Sequence, residues 1–415
     1  MAVWSDQSPS SVERAAQLHE SATGATAKHV ASAPATWVLI GENVDHFGGV
    51  TVVGLSHQSV SAAVSPRSDG VLGVTVDAAG GFSMATQVPF ASLLDAPLPD
   101  ASASLEARAL RRIAGLIQAM GARQILSRDI TGLDISIASD ITAGGGLGAL
   151  YAGDAALALA LADLAGTAEL DEAPTRARLA EICSAAASAN SSLSILRARH
   201  TAALRGAGDT VSVIDYADGS VTHAPHPSRL GVRIFSVARS LGTPHVEQAQ
   251  RITARREFID EACTNFGVTS LRQLPGAAER VVEWVQARRD VAGVDTAPDP
   301  QTAREWVRYC ETETLRSLAA VKALRSRRTD ELFTLLNSPS EAHDIVTPDD
   351  LVALAHARGA VSARPAAASS CARTVGVCSS TPARCRRACS TLPSSSPRAR
   401  ARSISVSSRE KMCER

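Results

Sequence analysis

Apolar positions recur along this chain with two different periods, and the alternation between them predicts most of its elements. Leu105, Leu110, Ile113, Leu116, Ile117 and Met120 fall on one helical stripe, which predicts a helix over 105–120. Leu133 to Ala138 alternates Leu, Ile, Ile on one face, as a half-buried strand does. The run Trp37-Val-Leu-Ile40 reads as a strand stopped by Gly41, and Ser59 to Val64 and Gly73 to Val76 are also β-rich. A polar helix is expected from Ser10 to His19, followed by a loop, and Ala/Leu-rich helices over Ala149 to Leu164 and 173–190. Val211 to Ile214 and Val232 to Val237 read as strands. After Pro244 the chain turns mostly helical, over 245–266, 275–289, 299–326 and 328–337. Strands and helices mix without regular β-α-β alternation, so the expected class is α+β rather than a doubly wound sheet. No internal repeat is visible, and a boundary is expected between about 205 and 235.

Composition narrows the class. The 415 residues are 45% hydrophobic and 20% charged, which supplies a core and excludes collagen, coiled coil and wholesale disorder. No run of about 18 apolar residues exists, and the first twenty residues lack a basic-plus-apolar signal pattern. The expectation is a cytoplasmic protein without a membrane span. Lys+Arg and Asp+Glu both number 42, which argues against nucleic acid as a partner. The balance hides two unlike parts. Residues 364–415 carry ten Arg and one Lys against two Glu, so the rest of the chain is net acidic. Five of the eight cysteines also lie there: Cys371, Cys378, Cys385, Cys389 and Cys413. That stretch shows neither period and is expected to form no packed element. Cys385 and Cys389 resemble half of a metal clip, but no histidine accompanies them, so reduced thiols are expected.

Two segments carry candidate chemistry. Gly144-Gly-Gly-Leu-Gly148 lies between a strand and a helix, where bare backbone N–H groups and the helix N-terminus suit a phosphate. A tight strand–helix turn is the plainer reading of the spacing alone, and no Gly-Lys-Ser/Thr follows. The turn Ile40 to Gly49 bunches Glu42, Asn43, Asp45 and His46 within five residues. Carboxylates there suit sugar hydroxyls, or they cap the backbone of an Asx-type turn. The remaining candidates read as structural. Cys183, Cys263 and Cys310 fall in helical segments as buried thiols. Arg255 and Arg256 could reach an anion but suggest helix-surface ion pairs first, and Glu311, Glu313 and Lys322 a solvated helix face. His57, His200, His223, His226 and His245 show no metal-ligand or acid-partner spacing.

The segment Thr36-Trp-Val-Leu-Ile-Gly-Glu-Asn-Val-Asp-His-Phe-Gly-Gly49 resembles the galactokinase signature of the GHMP kinase superfamily. Asp140-Ile-Thr-Ala-Gly-Gly-Gly-Leu-Gly-Ala-Leu-Tyr151 is similar to that superfamily's phosphate loop. Further resemblance runs through Pro244-His245, Arg255-Arg256-Glu257, Cys263, Gly267 to Arg272 and Leu335-Leu336-Asn337, so residues 30–363 are covered. The resemblance implies a two-lobed α+β fold with the active site between the lobes. Residues 1–30 would be an extension, 31–215 the N-terminal lobe, 216–363 a largely helical C-terminal lobe, and 364–415 a tail. It implies ATP with Mg²⁺ as cofactors, transfer of the γ-phosphoryl group to the anomeric hydroxyl of galactose or a related sugar, and a monomer. Glu42, Asn43 and Asp45 would hold the sugar, and Gly144, Gly145, Gly146, Leu147, Gly148 and Ala149 the nucleotide.

The departures from the family pattern fall at the chemistry. The signature Arg is Thr36, the signature His is Asn43, and the following Tyr is His46. Two phosphate-loop serines, one of which helps place Mg²⁺, are Ala149 and Leu150, so the metal's hydroxyl is lost. Counting back from Asp215, the catalytic Asp position is Arg199, which cannot accept a proton. The pocket Tyr position is Ile252. Pro365 to Ser370 stands where a third, Gly-rich motif belongs, which suggests a shifted reading frame; a natural tail is the alternative. The expected function is an impaired galactokinase-like sugar kinase, with a non-catalytic binding protein or a decayed gene product as alternatives.

Overall fold

The computed structural model describes residues 9–100, 103–127, 130–142, 146–192, 194–240, 246–293, 297–338, 349–357, 359–365 and 372–379. The chain opens with α1 (Ser11–Thr23), started by a capping box in which Ser10 and Glu13 satisfy each other's backbone N–H. Gly24 ends it in the left-handed conformation. Four strands follow: β1 (His29–Ile40), β2 (Val50–Arg67), β3 (Val71–Ala78) and β4 (Phe82–Pro89). After a short α2 (Phe90–Asp95) come α3 (Leu105–Ala122), β5 (Gly132–Ser139), α4 (Ala149–Leu164), α5 (Ala173–Ala189) and α6 (Arg197–Arg205). The hairpin β6 (Thr210–Asp215) and β7 (Val221–Pro225) leads into β8 (Arg233–Ser240). The helical region comprises α7 (Val246–Phe266), α8 (Ala277–Ala292), α9 (Pro300–Arg325), α10 (Thr329–Asn337) and α11 (Asp349–Ala357), and two strands close the described chain, β9 (Ser362–Pro365) and β10 (Ala372–Ser379).

The seven-stranded sheet runs β4-β3-β5-β2-β6-β7, with β1 also on β2. Only the β3–β5 pair is parallel, as expected for an α+β chain. The 18-residue β2 is its spine: Val60–Arg67 pair with β5, Val50–Gly54 with β6, and β1 lies along its other edge. The β1–β2 register shifts between Pro34 and Thr36. Proline has no N–H to give the ladder, and past the shift the Thr36 N–H donates to the Leu147 carbonyl instead, at 3.0 Å. A local irregularity in β1 thereby fastens the strand to the glycine loop.

Helix α4 is apolar nearly all round, and accordingly it is buried. It packs between β1 and β2 on one side and α3, α5 and α6 on the other, inside a core of Val60, Leu116, Ile135, Leu157 and Leu161. A second core joins β1, β2 and β6 to α9 and α10 through Ile40, Val52, Val213, Leu324 and Leu332. A third unites α7, α8 and α9, and Val44 and Phe47 of the acidic turn reach into it. Among the described residues, no helix is long and apolar enough to cross a membrane.

Several expectations need correction. Glu313 is buried, not solvated: its carboxylate accepts the Gly41 N–H at 3.2 Å and pairs with Arg316 at 2.7 Å. Glu311 is partly buried and Lys322 exposed on the same helix. Arg255 and Arg256 are buried as well, because α7 turns Arg256 onto Asp45 of the acidic turn and Arg255 over the Tyr309 ring rather than to water. The basic stretch after residue 363 does contribute a packed element. β10 lies between β8 and β9, antiparallel to both, because Thr374, Val375 and Val377 suit a strand once two partners flank it. Cys371, Cys385, Cys389 and Cys413 lie outside the described residues. Elements not expected include β4, α6 and β7. The two strands sit at sheet margins with few buried positions, and α6 hides its pattern because its buried residues include Arg199 and His200.

Candidate functional site

The acidic turn follows β1 and is held by its glycines. Gly41 has φ +87°, and a Cβ there would lie 2.7 Å from Ser317 Oγ, so only glycine fits. The Gly49 N–H closes the turn on the Val44 carbonyl at 2.8 Å, and Thr51 Oγ1 donates to the Gly41 carbonyl at 2.8 Å. Asn43 sits at φ 58°, a conformation Asn tolerates better than most residues.

Asp45 is buried, and its carboxylate meets arginines rather than capping the turn. Arg256 Nη2 donates to it at 2.7 Å and Arg197 Nε at 3.3 Å. Burial pushes its carboxyl upward, but Arg256, His46 and Arg197 together outweigh that and hold it below the usual carboxylate range. Arg256 also donates to Asn43 Oδ1 at 3.2 Å and to the Ile195 carbonyl at 2.6 Å. His46 bridges outward: Nδ1 lies 2.7 Å from Asp260, and Nε2 lies 3.1 Å from Arg256 Nη1. Glu42 is half-buried, and its carbonyl accepts the Tyr309 hydroxyl at 2.8 Å. Arg197 stacks 4.9 Å over the Tyr216 ring. The Tyr216 hydroxyl is buried without a hydrogen-bond partner among the described residues.

Thr36 and Arg199, 163 positions apart, touch. Arg199 Nη1 donates to the Thr36 carbonyl at 2.6 Å and lies 3.2 Å from Thr36 Oγ1. Its Nη2 donates to the Gly146 carbonyl at 2.9 Å. Both residues are at most 2% exposed. Gly148 is the N-cap of α4 at φ 71°, with no side-chain cap. A Cβ there would lie 2.8 Å from Arg199 Nη1 and 2.9 Å from Thr36 Oγ1. Leu147 is buried, Ala149 half-buried and Leu150 exposed. Gly144 and Gly145 lie outside the described residues. Ile252 is buried.

A buried polar network anchors α6, and the sequence reading missed it. Arg112 Nε donates to Asp154 Oδ2 at 2.6 Å, and His200 Nε2 lies 2.9 Å from the same oxygen. Ser184 Oγ is 3.1 Å from His200 Nδ1. Burial pulls His200 below its ordinary pKa despite Asp154. The neutral ring therefore donates from Nε2 to Asp154 and accepts from Ser184 at Nδ1. Tyr151 Oη accepts the Leu196 N–H at 3.0 Å, and Arg112 stacks over its ring at 4.9 Å. The signal available beforehand was Asp154 in the first turns of an Ala/Leu-rich helix, since a buried acid needs a partner.

The other singled-out residues are structural. Cys183, Cys263 and Cys310 are buried free thiols. Burial pushes all three up, Cys310 to about 12, which leaves no reactive thiolate at neutral pH. No group of three or more His, Cys, Asp or Glu suited to a metal ion lies among the described residues.

Comparison with known proteins agrees with this architecture. Residues 17–66 match the family model for the galactokinase galactose-binding signature. Among solved structures, the chain is similar to Lactococcus lactis galactokinase complexed with galactose, with TM-score 0.66 and 17% identity over 91% of this chain and 92% of that one. It is also similar to L. major mevalonate kinase in complex with R-mevalonate, with TM-score 0.50 and 14% identity over 88% and 90% of the two chains. No curated protein matches it by sequence. The chain is galactokinase-like, with the signature of that family on a GHMP kinase fold.

Proposed function

We propose that this chain binds ATP and a galactose-type sugar as a cytoplasmic, monomeric sugar kinase whose phosphoryl transfer to the anomeric hydroxyl is severely impaired. One observation carries the reading: the strand that leads into the signature and the end of the glycine loop meet at a corner whose facing residues are Thr36 and Arg199.

The nucleotide fits this chain. Gly146, Leu147, Gly148 and Ala149 offer bare backbone at the N-terminus of a 16-residue helix, where phosphates are favoured. ATP, when bound, supplies the transferable phosphoryl group. The sugar also fits. Glu42 and Asp45 accept hydrogen bonds, and the orphaned Tyr216 hydroxyl gains a partner when a sugar hydroxyl reaches it. Mg²⁺ does not fit: Ala149 and Leu150 carry no hydroxyl, and no acidic cluster replaces them among the described residues.

The transfer step lacks its proton acceptor. Arg199 cannot act as a base. Asp45, held ionised by Arg256, His46 and Arg197, is a weakened base. Thr36 brings no charge to a developing phosphoryl transition state. The same corner equally favours a non-catalytic regulator that binds both ligands. Thermal melts with ATP and with galactose, paired with a coupled ADP assay, decide. Shifts with slow turnover support the kinase reading, shifts without turnover the regulator, and no shift for either ligand indicates a decayed product.

A further inference from the structure

Four arginines are buried in and around this site, Arg112, Arg199, Arg255 and Arg256, and Arg199 differs from Arg112 and Arg256 in what it meets. Arg112 and Arg256 each reach a carboxylate, Asp154 at 2.6 Å and Asp45 at 2.7 Å. Arg199 is at least as buried, yet its hydrogen-bond partners are all neutral: the Thr36 carbonyl and hydroxyl and the Gly146 carbonyl. Among the described residues, no carboxylate lies within ion-pair distance of it. Glu42 acts on it only through its longer-range field, which offsets part of the destabilisation of the cation by burial. A buried cation without a counter-charge is unfavourable, and it favours any anion able to reach it.

What Arg199 abuts is positive too. Its Nη1 lies so near Gly148 that a Cβ there would approach within 2.8 Å. Gly148 opens α4 without a side-chain cap, and the first helical bond is the Ala152 N–H to the Gly148 carbonyl. The N–H groups of Ala149, Leu150 and Tyr151 precede that bond and have no partner within the helix. A helix N-terminus favours an anion and disfavours a guanidinium. The two positive ends raise each other's energy until an anion sits against both.

We infer that Arg199 and the first turn of α4 form a phosphate-binding site in which a guanidinium, rather than a metal ion, supplies the positive charge. The ligand class is a phosphate or pyrophosphate group, brought by a nucleotide or by a phosphorylated sugar. Guanidinium suits this task because its planar N–H fork matches phosphate oxygens. The inference deepens the function proposed above and rests on its placement of the ligand site. It assigns Arg199 a binding role instead of leaving it a lost base. Thr36 becomes the residue that aims the guanidinium, and the missing hydroxyls at 149 and 150 become consistent with metal-independent binding.

The test uses the full chain and pyrophosphate as the probe, by calorimetry in EDTA and again in Mg²⁺, for the native protein, Arg199→Gln and Arg199→Lys. The native chain is expected to bind pyrophosphate in EDTA, with an affinity Mg²⁺ changes by less than about threefold. Arg199→Gln is expected to weaken it about ten- to a hundredfold, the range for losing a charge-assisted hydrogen bond. Arg199→Lys, which keeps the charge, is expected to recover most of that loss. Melting curves without ligand report whether each variant folds; if neither does, the native titrations alone decide. Native binding that requires Mg²⁺, or Arg199→Gln binding as tightly as the native chain, overturns the inference and leaves Arg199 a staple between β1 and the loop. Competition by ADP and by galactose 1-phosphate identifies which source carries the phosphate. The two readings fail separately. Absence of any melting shift with ATP or galactose sinks the kinase reading, whereas the Arg199 inference falls only on the pyrophosphate results.

Discussion

The acidic turn and the glycine-loop corner sit at opposite ends of one stretch of chain, Thr36 to Asp45, and resolve their buried charges in opposite ways. At the turn, Asp45 is neutralised within the protein by Arg256 and Arg197, and His46 ties the group to Asp260. At the corner, Arg199 is surrounded by neutral oxygens. A closed ion-pair network fixes geometry and shields an acid from protonation. An open one leaves a charge whose partner must arrive from outside. The turn's charges are therefore balanced among its own residues, and the corner's charge is the one that, by the inference above, an incoming anion meets.

The largest expected effect tests the corner's chemistry. Native chain with Mg·ATP and galactose should yield galactose 1-phosphate only at a trace rate in a coupled ADP assay. Each missing transition-state charge costs about 3–4 kcal/mol, or roughly a hundred- to thousandfold in rate. Thr36→Arg alone should not restore turnover, and it should also lower Tm, because it brings a second guanidinium against Arg199. The exchange Thr36→Arg with Arg199→Asp should remove the clash and raise the rate above either single variant. Robust turnover by the native chain would falsify the placement of Arg199 at the reacting position.

Next in size is the closed network. Arg256→Met leaves Asp45 with a buried charge and only Arg197 and His46 beside it. We expect a loss of about 3–5 kcal/mol in chemical denaturation. The same truncation at Arg199 removes no ion pair and should cost clearly less, so equal losses at the two sites would erase the contrast drawn between them.

Restoring the lost hydroxyls probes the loop itself. Ala149→Ser with Leu150→Ser should tighten Mg·ATP by about tenfold, the worth of about one good hydrogen bond to a charged group, and should make binding more dependent on Mg²⁺. Leu150 is exposed, so the change should leave stability nearly untouched. Calorimetry showing low-micromolar, fully metal-dependent binding by the native chain would contradict this.

The smallest effect is on pH dependence. His200 is pulled below its ordinary value, so the unfolded chain binds its proton at a higher pH than the folded one. Its contribution to stability is complete above about pH 6.5 and declines as pH falls from there toward the folded value. Asp45 behaves likewise lower down: its folded pKa is depressed, so its contribution holds at neutral pH and is lost under acid conditions, below about pH 4. Denaturation midpoints between pH 7 and 5 should drop for the native chain and flatten for His200→Gln. An unchanged slope would show that the His200 network does not couple to folding in this range.

Much of the architecture was legible beforehand because it rests on local periodicity. The helix stripe of 105–120 buries the expected face and the Ala/Leu run of 149–164 is buried nearly throughout, so α3 and α4 lie where the pattern put them. The strand reading of Leu133 to Ala138 holds for the same reason. Burial of ionisable groups was not legible. Glu313, Arg255 and Arg256 look solvated in a linear pattern, because a charged residue signals exposure until a partner distant in sequence is known. The partners of Glu313 and Arg256 include Gly41 and Asp45, more than two hundred residues away. The segment 372–379 looked featureless because a strand between two others needs only modest propensity once both ladders are present.

By itself the sequence determined the mixed α+β class, the position of the signature turn and glycine loop, and the identities of Thr36 and Arg199, since these depend on residue type, spacing and period. Only the tertiary structure decided that Thr36 and Arg199 touch, that Arg199 lies against the start of α4 without a carboxylate, and that Asp154 and His200 anchor its helix. The physical reason is that electrostatic roles depend on distance and burial, and contacts between residues 163 positions apart are set by how sheet and helices pack rather than by any local pattern.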